Sequence, residues 1–252
     1  METKMNVEEI ALMVLEAKAV EIRNVPSKVT NEEVETLPRE QQPFLYASGN
    51  WGSGYVSIKN LVGRKTIIRP LVSQLAQLVA ERVPYLNFVA GNVTGGVIPG
   101  WLISEELEKL LGRTIPFVYI REARKKGGQK ELITGITNNP EIPTGANGLV
   151  VEELVNFAET ICNGADALRD AGYVATHGAT ILFYNNPEAI KALEEHGIEI
   201  VYLFTLPDLL TVAEKYRTHP QNAIDDYREF LADPLGWQAA RGLKRIEKGG
   251  TV

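Results

Sequence analysis

Apolar and polar positions alternate along this chain with two different periods. Val7 to Val20 repeats apolar residues at helical spacing, through Ile10, Met13, Val14, Ala17 and Val20, and predicts an amphipathic first helix. A polar stretch with prolines runs from Asn24 to Pro43, and its charged piece Asn31 to Glu40 suits either a short helix or a loop. From Phe44 onward, short apolar runs predict strands at Tyr55 to Ile58, Leu86 to Ala90, Ile115 to Ile120, Gly148 to Val151, Ala179 to Phe183 and Ile198 to Phe204. Helical periods fall between them at Pro70 to Val83, Trp101 to Leu111, Asn156 to Ala171, Pro187 to His196 and Leu206 to Tyr216. Gly172 is a stop signal for the third of these helices. Two further helices, Ile224 to Leu231 and Leu235 to Arg241, form a C-terminal appendage.

Strands separated by helices predict an α/β fold with a mainly parallel sheet and helices on both faces. The expected organisation is an N-terminal helix and extended segment over 1–43, an α/β domain over 44–216 and a helical appendage over 217–252. In such sheets ligands sit beyond the carboxyl ends of the strands, so the loops there are where chemistry belongs.

Composition narrows the function classes. With 252 residues, 44% hydrophobic and 23% charged, the chain can bury a sizeable core. A formal net charge of -6 disfavours a nucleic-acid partner, which needs a basic face. No apolar run is long enough to span a membrane, and the start of the chain is unlike a secretory signal. Cys162 is the single cysteine, so no intrachain disulfide forms, and a reducing, cytoplasmic setting is expected. Its apolar neighbours suit a small buried residue better than a nucleophile. His177, His196 and His219 lack metal-ligand spacing and read as structural or surface residues.

Three loops carry candidate chemistry. Ala90 to Gly96 holds three glycines in seven residues, which suits a backbone cradle for an anion or simply a tight turn into a helix. Its spacing matches neither the dinucleotide fingerprint nor a P-loop. Arg121 to Lys130 holds five cations and two glycines, as in a solvated loop or in a mobile cationic lid over a phosphate-rich substrate. Leu149 to Val155 places Glu152 and Glu153 at a buried strand's exit, as surface charge or as ligands for ribose hydroxyls and Mg²⁺.

In this order the loops resemble those of the orotate phosphoribosyltransferases, from about Phe44 to about Tyr216. Phe44 to Gly49 with Tyr55-Val56 resembles the family's segment near the base. Val89 to Pro99 resembles its diphosphate loop, Phe117 to Gly135 its mobile catalytic loop, and Gly148 to Thr160 its phosphoribosyl-diphosphate signature. Tyr202 to Leu210 also fits. The resemblance implies a type I phosphoribosyltransferase fold and transfer of ribose 5-phosphate from Mg²⁺-bound phosphoribosyl diphosphate to a pyrimidine. It implies a homodimer, catalytic roles for Lys125 and Arg121, and Mg²⁺ or ribose contacts from Glu152 and Glu153. Thr94, Gly95, Gly96, Arg121, Lys125, Lys126, Asn156, Glu159 and Thr160 are then further donor-binding candidates. The alternative is a catalytically degenerate relative that binds a nucleotide, an anion or a protein partner.

Departures from the family pattern support that alternative. Glu122 and Gly127 stand where a lysine and a histidine are common, and Asn50 where an arginine is. Tyr184 to Pro187 replaces the region of a base-contacting arginine. Asn156 to Thr160 has no glycine and carries an acid where a 5-phosphate should sit. With Asn156 as N-cap, Glu159 is the N3 residue of a near-relative of the capping box, its carboxylate standing in for the phosphate.

Overall fold

The computed structural model describes residues 5–121 and 131–246. Ten strands are present: β1 (Val20–Ile22), β2 (Phe44–Leu45), β3 (Trp51–Gly52), β4 (Gly54–Val56), β5 (Phe88–Asn92), β6 (Phe117–Ile120), β7 (Ile133–Thr134), β8 (Asn147–Val155), β9 (Val174–Phe183) and β10 (Glu199–Thr205). The helices are α1 (Val7–Glu16), α2 (Lys65–Arg82), α3 (Val97–Leu111), α4 (Glu159–Asp170), α5 (Pro187–Glu195), α6 (Leu206–Lys215), α7 (Gln221–Ala232) and α8 (Pro234–Arg241).

The main sheet has the order β10-β9-β8-β5-β6-β7, parallel except for the β6–β7 pair. This is the expected mainly parallel α/β sheet. Its strands are apolar on both sides because both faces are covered. Along β8, Leu149 and Val151 join the core under α2 and α3, while Val150 between them joins the core under α4 and α5. The alternation follows from the two-residue period of a strand. Residues from all three expected segments share the larger core, including Ile10, Val29, Leu71, Leu209, Tyr227 and Trp237.

Several boundaries differ from the sequence pattern. The first helix stops at Glu16, because Lys18 takes a left-handed conformation (φ 54°) and Val20 turns into β1, pairing with Val56 of β4. The segment Asn31 to Glu40 forms 3₁₀ turns at Val34–Thr36 and Arg39–Gln41. α2 begins at Lys65, so Pro70 lies inside it rather than at its start. β8 extends to Val155, where Val155 pairs with Phe183 of β9 and accepts from the Tyr184 N–H at 2.9 Å. That extension delays α4 until Glu159.

The C-terminal appendage is tied to the segment before the sheet. The Trp51 N–H donates to Gln238 Oε1 at 2.7 Å, and the Trp51 indole donates to the Lys244 carbonyl at 3.0 Å. Three buried phenols close the same seam: Tyr46 donates to the Gly54 carbonyl, and Tyr227 donates to Tyr184 at 2.9 Å. Burial raises the pKa of all three, so each stays a neutral hydrogen-bonding group.

Candidate active site

The strand order places a topological switch point between β5 and β8. The chain leaves β5 for β6 on one side and later returns to lay β8 on the other. Helices depart in opposite directions there, which opens a crevice beyond the carboxyl ends of both strands.

The glycine loop lines the β5 side. Asn92, almost fully buried, ends the strand and donates through Nδ2 to the Thr160 carbonyl at 3.1 Å, drawing the first turn of α4 toward β5. The Val93 N–H donates to the Ile120 carbonyl at 2.9 Å and fixes the loop to β6. The Val93–Thr94 peptide is cis, and Thr94 is exposed. Two glycines are explained by close approach. A Cβ on Gly95 would lie 1.8 Å from Glu153 Oε2, and one on Gly96 would lie 2.0 Å from the Val151 carbonyl oxygen. A side chain at Gly96 would drive the loop off β8, and one at Gly95 would displace the Glu153 carboxylate.

Glu153 therefore lies against the glycine loop. Glu152 does not join it. Both acids lie within β8, where successive side chains leave opposite faces, and Glu152 is buried at the position paired with Thr180. The expected adjacent acidic pair is thus divided between two faces. For Mg²⁺ the fit is of a limited kind. Among the described residues no group of three acids, histidines or cysteines gathers to hold a metal. Mg²⁺ that arrives with a diphosphate needs only one or two protein carboxylates, and Glu153 beside the loop supplies one.

Arg121 follows β6 and is anchored on its own hairpin. Its Nε donates to Thr134 Oγ1 at 3.0 Å, its Nη2 to the Tyr119 hydroxyl at 3.1 Å, and its guanidinium lies 5.3 Å from the Tyr119 ring centre. These contacts set the base of the basic loop. Lys125 and Lys126 lie outside the described residues.

The turn from β8 into α4 corrects the expected cap. The N-cap is Ala158, in the left-handed region at φ 61°, and it offers no side-chain oxygen. Asn156 is instead engaged by Asn186, whose Nδ2 donates to the Asn156 carbonyl at 2.9 Å and to its Oδ1 at 3.2 Å. Glu159 is the first helical residue rather than the third, so no capping box forms. Both Glu159 and Thr160 are exposed. Asn186 also caps α5, accepting from the Ala189 N–H at 2.9 Å. The signal for that was present in Asn186-Pro187, a capping residue before a proline at the first helical position.

Cys162 is buried in α4 with its Sγ 3.6 Å from the Ala192 carbonyl, and burial pushes its thiol up to about 11. It is a protonated structural residue and not a nucleophile.

Comparison with known proteins agrees with this geometry. No family model matches the chain. The orotate phosphoribosyltransferase of Ruegeria sp. is 29% identical over 202 residues, covering 79% of this chain and 84% of that one. The structure of Leishmania donovani UMP synthase superposes with a TM-score of 0.65 at 19% identity, over 90% of this chain and 42% of the larger one. Orotate phosphoribosyltransferase from Aeropyrum pernix superposes at 0.58 and 20% identity, over 82% of this chain and 99% of that one. The sheet order and its switch-point crevice define a type I phosphoribosyltransferase fold. Within that fold, the chain is similar in sequence to curated orotate phosphoribosyltransferases, at 28–29% identity over about four fifths of its length.

Proposed function

We propose that the chain transfers ribose 5-phosphate from phosphoribosyl diphosphate to a ring nitrogen of a pyrimidine base, orotate being the first candidate. In this reaction the bond from the ribosyl anomeric carbon to the diphosphate oxygen breaks, a carbon–nitrogen bond forms, and diphosphate leaves. The observation that carries the reading is the contact of Glu153 with Gly95 at the switch point, which presents a carboxylate and a side-chain-free backbone to one ligand. Gly95 and Gly96 let the donor's diphosphate approach the main chain, while Glu153 would hold a ribose hydroxyl or Mg²⁺. Mg²⁺ held with the diphosphate supplies neutralising charge. Lys125 and Arg121 belong to the basic loop that steadies the leaving group, with Lys125 the catalytic cation and Arg121 its fixed base. Lys126 adds charge to the same loop, and Thr94, exposed on the glycine loop, is a further donor contact.

A second reading, ligand binding without turnover, draws support from Glu159 at the start of α4 and from the lack of glycine over 156–160. The discriminating experiment follows orotate consumption and diphosphate release with phosphoribosyl diphosphate and Mg²⁺. Turnover dependent on both substrates supports transfer; donor binding with no diphosphate release from any pyrimidine base favours the second reading.

The quaternary and cellular settings are part of the proposal. A homodimer is supported by Ile98 and Trp101, exposed one turn apart on α3, with Trp101 edge-on to Phe117. Light scattering at micromolar concentration should give twice the chain mass, and Trp101→Glu should shift it toward one chain. No helix among the described residues is long and apolar enough to cross a membrane, and the cytoplasm suits the family's substrates.

A further inference from the structure

A cleft of about 480 Å³ opens where α4 begins, away from the glycine loop. Its walls come from distant parts of the chain: Ser48 and Asn50 from the turn before β3, Glu159 of α4, Lys191 of α5, Gln238 of α8, and Arg245 of the tail beyond α8. We propose that Arg245 binds a substrate oxyanion, a phosphate ester or a carboxylate, in this cleft. The proposal rests on the phosphoribosyl-transfer reading for the identity of the substrates, and on the following geometry for the site.

The tail is built into place. The Lys244 backbone exchanges two hydrogen bonds with the Asn31 side chain, at 2.8 and 2.9 Å. The Ile246 N–H donates to the Gly49 carbonyl at 2.9 Å, and the Ile246 carbonyl lies so close to Gly49 that a Cβ there would meet it at 2.1 Å. Between these anchors, Arg245 Nε donates to the Ser48 carbonyl at 2.9 Å. That bond holds the guanidinium by one nitrogen, and its two terminal nitrogens have no partner among the described residues. A guanidinium fixed this way presents a fork suited to the two oxygens of a carboxylate or phosphate.

Three neighbours point to a ligand as well. Asn50 is 7% exposed, lines the cleft, and has no hydrogen-bond partner for its Oδ1. Buried amides are almost always partnered. The first turn of α4 lacks a side-chain cap, so its N–H groups face the cleft end of the helix as donors with a favourable dipole. Lys191 adds a second cation, partly held by Glu195 at 3.9 Å.

Carboxylates oppose this. Glu159, Glu188 and Glu195 line the same cleft and repel an anion, Glu195 being partly neutralised by Lys191. Arg245 is then the residue that decides whether an anion is held, and Glu159 the one that limits how tightly.

Calorimetry on the full chain tests this, with ribose 5-phosphate and orotate as separate titrants. The variants are Arg245→Gln, which keeps a donor for the Ser48 carbonyl without the charge, Arg245→Lys and Glu159→Gln. The expected result is a loss of about tenfold or more in affinity for one titrant in Arg245→Gln, partial recovery in Arg245→Lys, and a gain in Glu159→Gln. Loss for ribose 5-phosphate identifies a phosphate site, and loss for orotate a carboxylate site. Unchanged affinity for both titrants in Arg245→Gln, or no binding of either by the parent, overturns the proposal. Turnover with orotate and the donor is measured in parallel. Intact turnover without Arg245-dependent binding removes this inference alone, whereas Arg245-dependent binding without turnover supports it and removes the transfer reading.

Discussion

Two turns flank the carboxyl end of β8, and they are built in opposite ways. The glycine loop after β5 is held by close approach: Gly96 against the Val151 carbonyl, with no room for a side chain, and Gly95 against the Glu153 carboxylate. The turn into α4 is held by side chains: Asn186 on Asn156, and Asn92 on the Thr160 carbonyl. The first arrangement leaves a backbone surface bare of side chains, where the proposed function seats the diphosphate. The second leaves a carboxylate, Glu159, at a helix start that offers N–H donors. One fold can thus build its two turns beside one strand on different chemistry. Sheet order fixes where the two turns lie, and local residues decide what each will hold.

Breaking the glycine side should have the largest effect. Gly95→Val places side-chain atoms where the Glu153 carboxylate lies, so we expect kcat/KM to fall at least about a hundredfold through displacement of that carboxylate. Gly63→Ala is the matched control: a Cβ there meets nothing within 4 Å, and activity and Tm should be unchanged. Equal kinetics for Gly95→Val and Gly63→Ala would mean that the loop is not part of the site.

Lys125→Ala should come next, lowering kcat by on the order of a hundredfold with a smaller change in donor affinity, as expected for a cation that acts on the leaving group. Equal losses in both quantities would take Lys125 out of the catalytic role.

The α4 side should respond mainly in stability. Asn92→Leu keeps the shape but removes the donor to the Thr160 carbonyl, at a cost of about 1–3 kcal/mol in urea unfolding. A cost near zero would show that the bond does not tie the two turns together.

These two turns also show how far the sequence was legible. The apolar cores of β8 and β9, Leu149 to Val151 and Ala179 to Phe183, stood out because both faces of the sheet are covered. The glycines after one strand and the acids after another stood out as candidate chemistry, but the contact of Gly95 with Glu153 emerges only from the pairing of β5 with β8. The α4 cap was misread because Asn156 has the chemistry of a helix cap, and nothing local announces that Asn186, 30 residues on, claims it. Pro70 misplaced the start of α2 for a related reason, since proline favours the first turn but here lies further in. The role of the C-terminal tail carried no local signal at all. Its bonds join residues separated by 187 to 213 positions, such as Trp51 with Gln238 and Asn31 with Lys244.

The central claim is that the donor is held where β5 and β8 separate, by the glycine loop and Glu153. The most direct measurement is calorimetric titration of the full chain with phosphoribosyl diphosphate and Mg²⁺, comparing the parent with Glu153→Ala. The account predicts saturable binding by the parent and a loss of at least about tenfold in the variant, with the fold retained by circular dichroism. Equal affinity in the two proteins would contradict it.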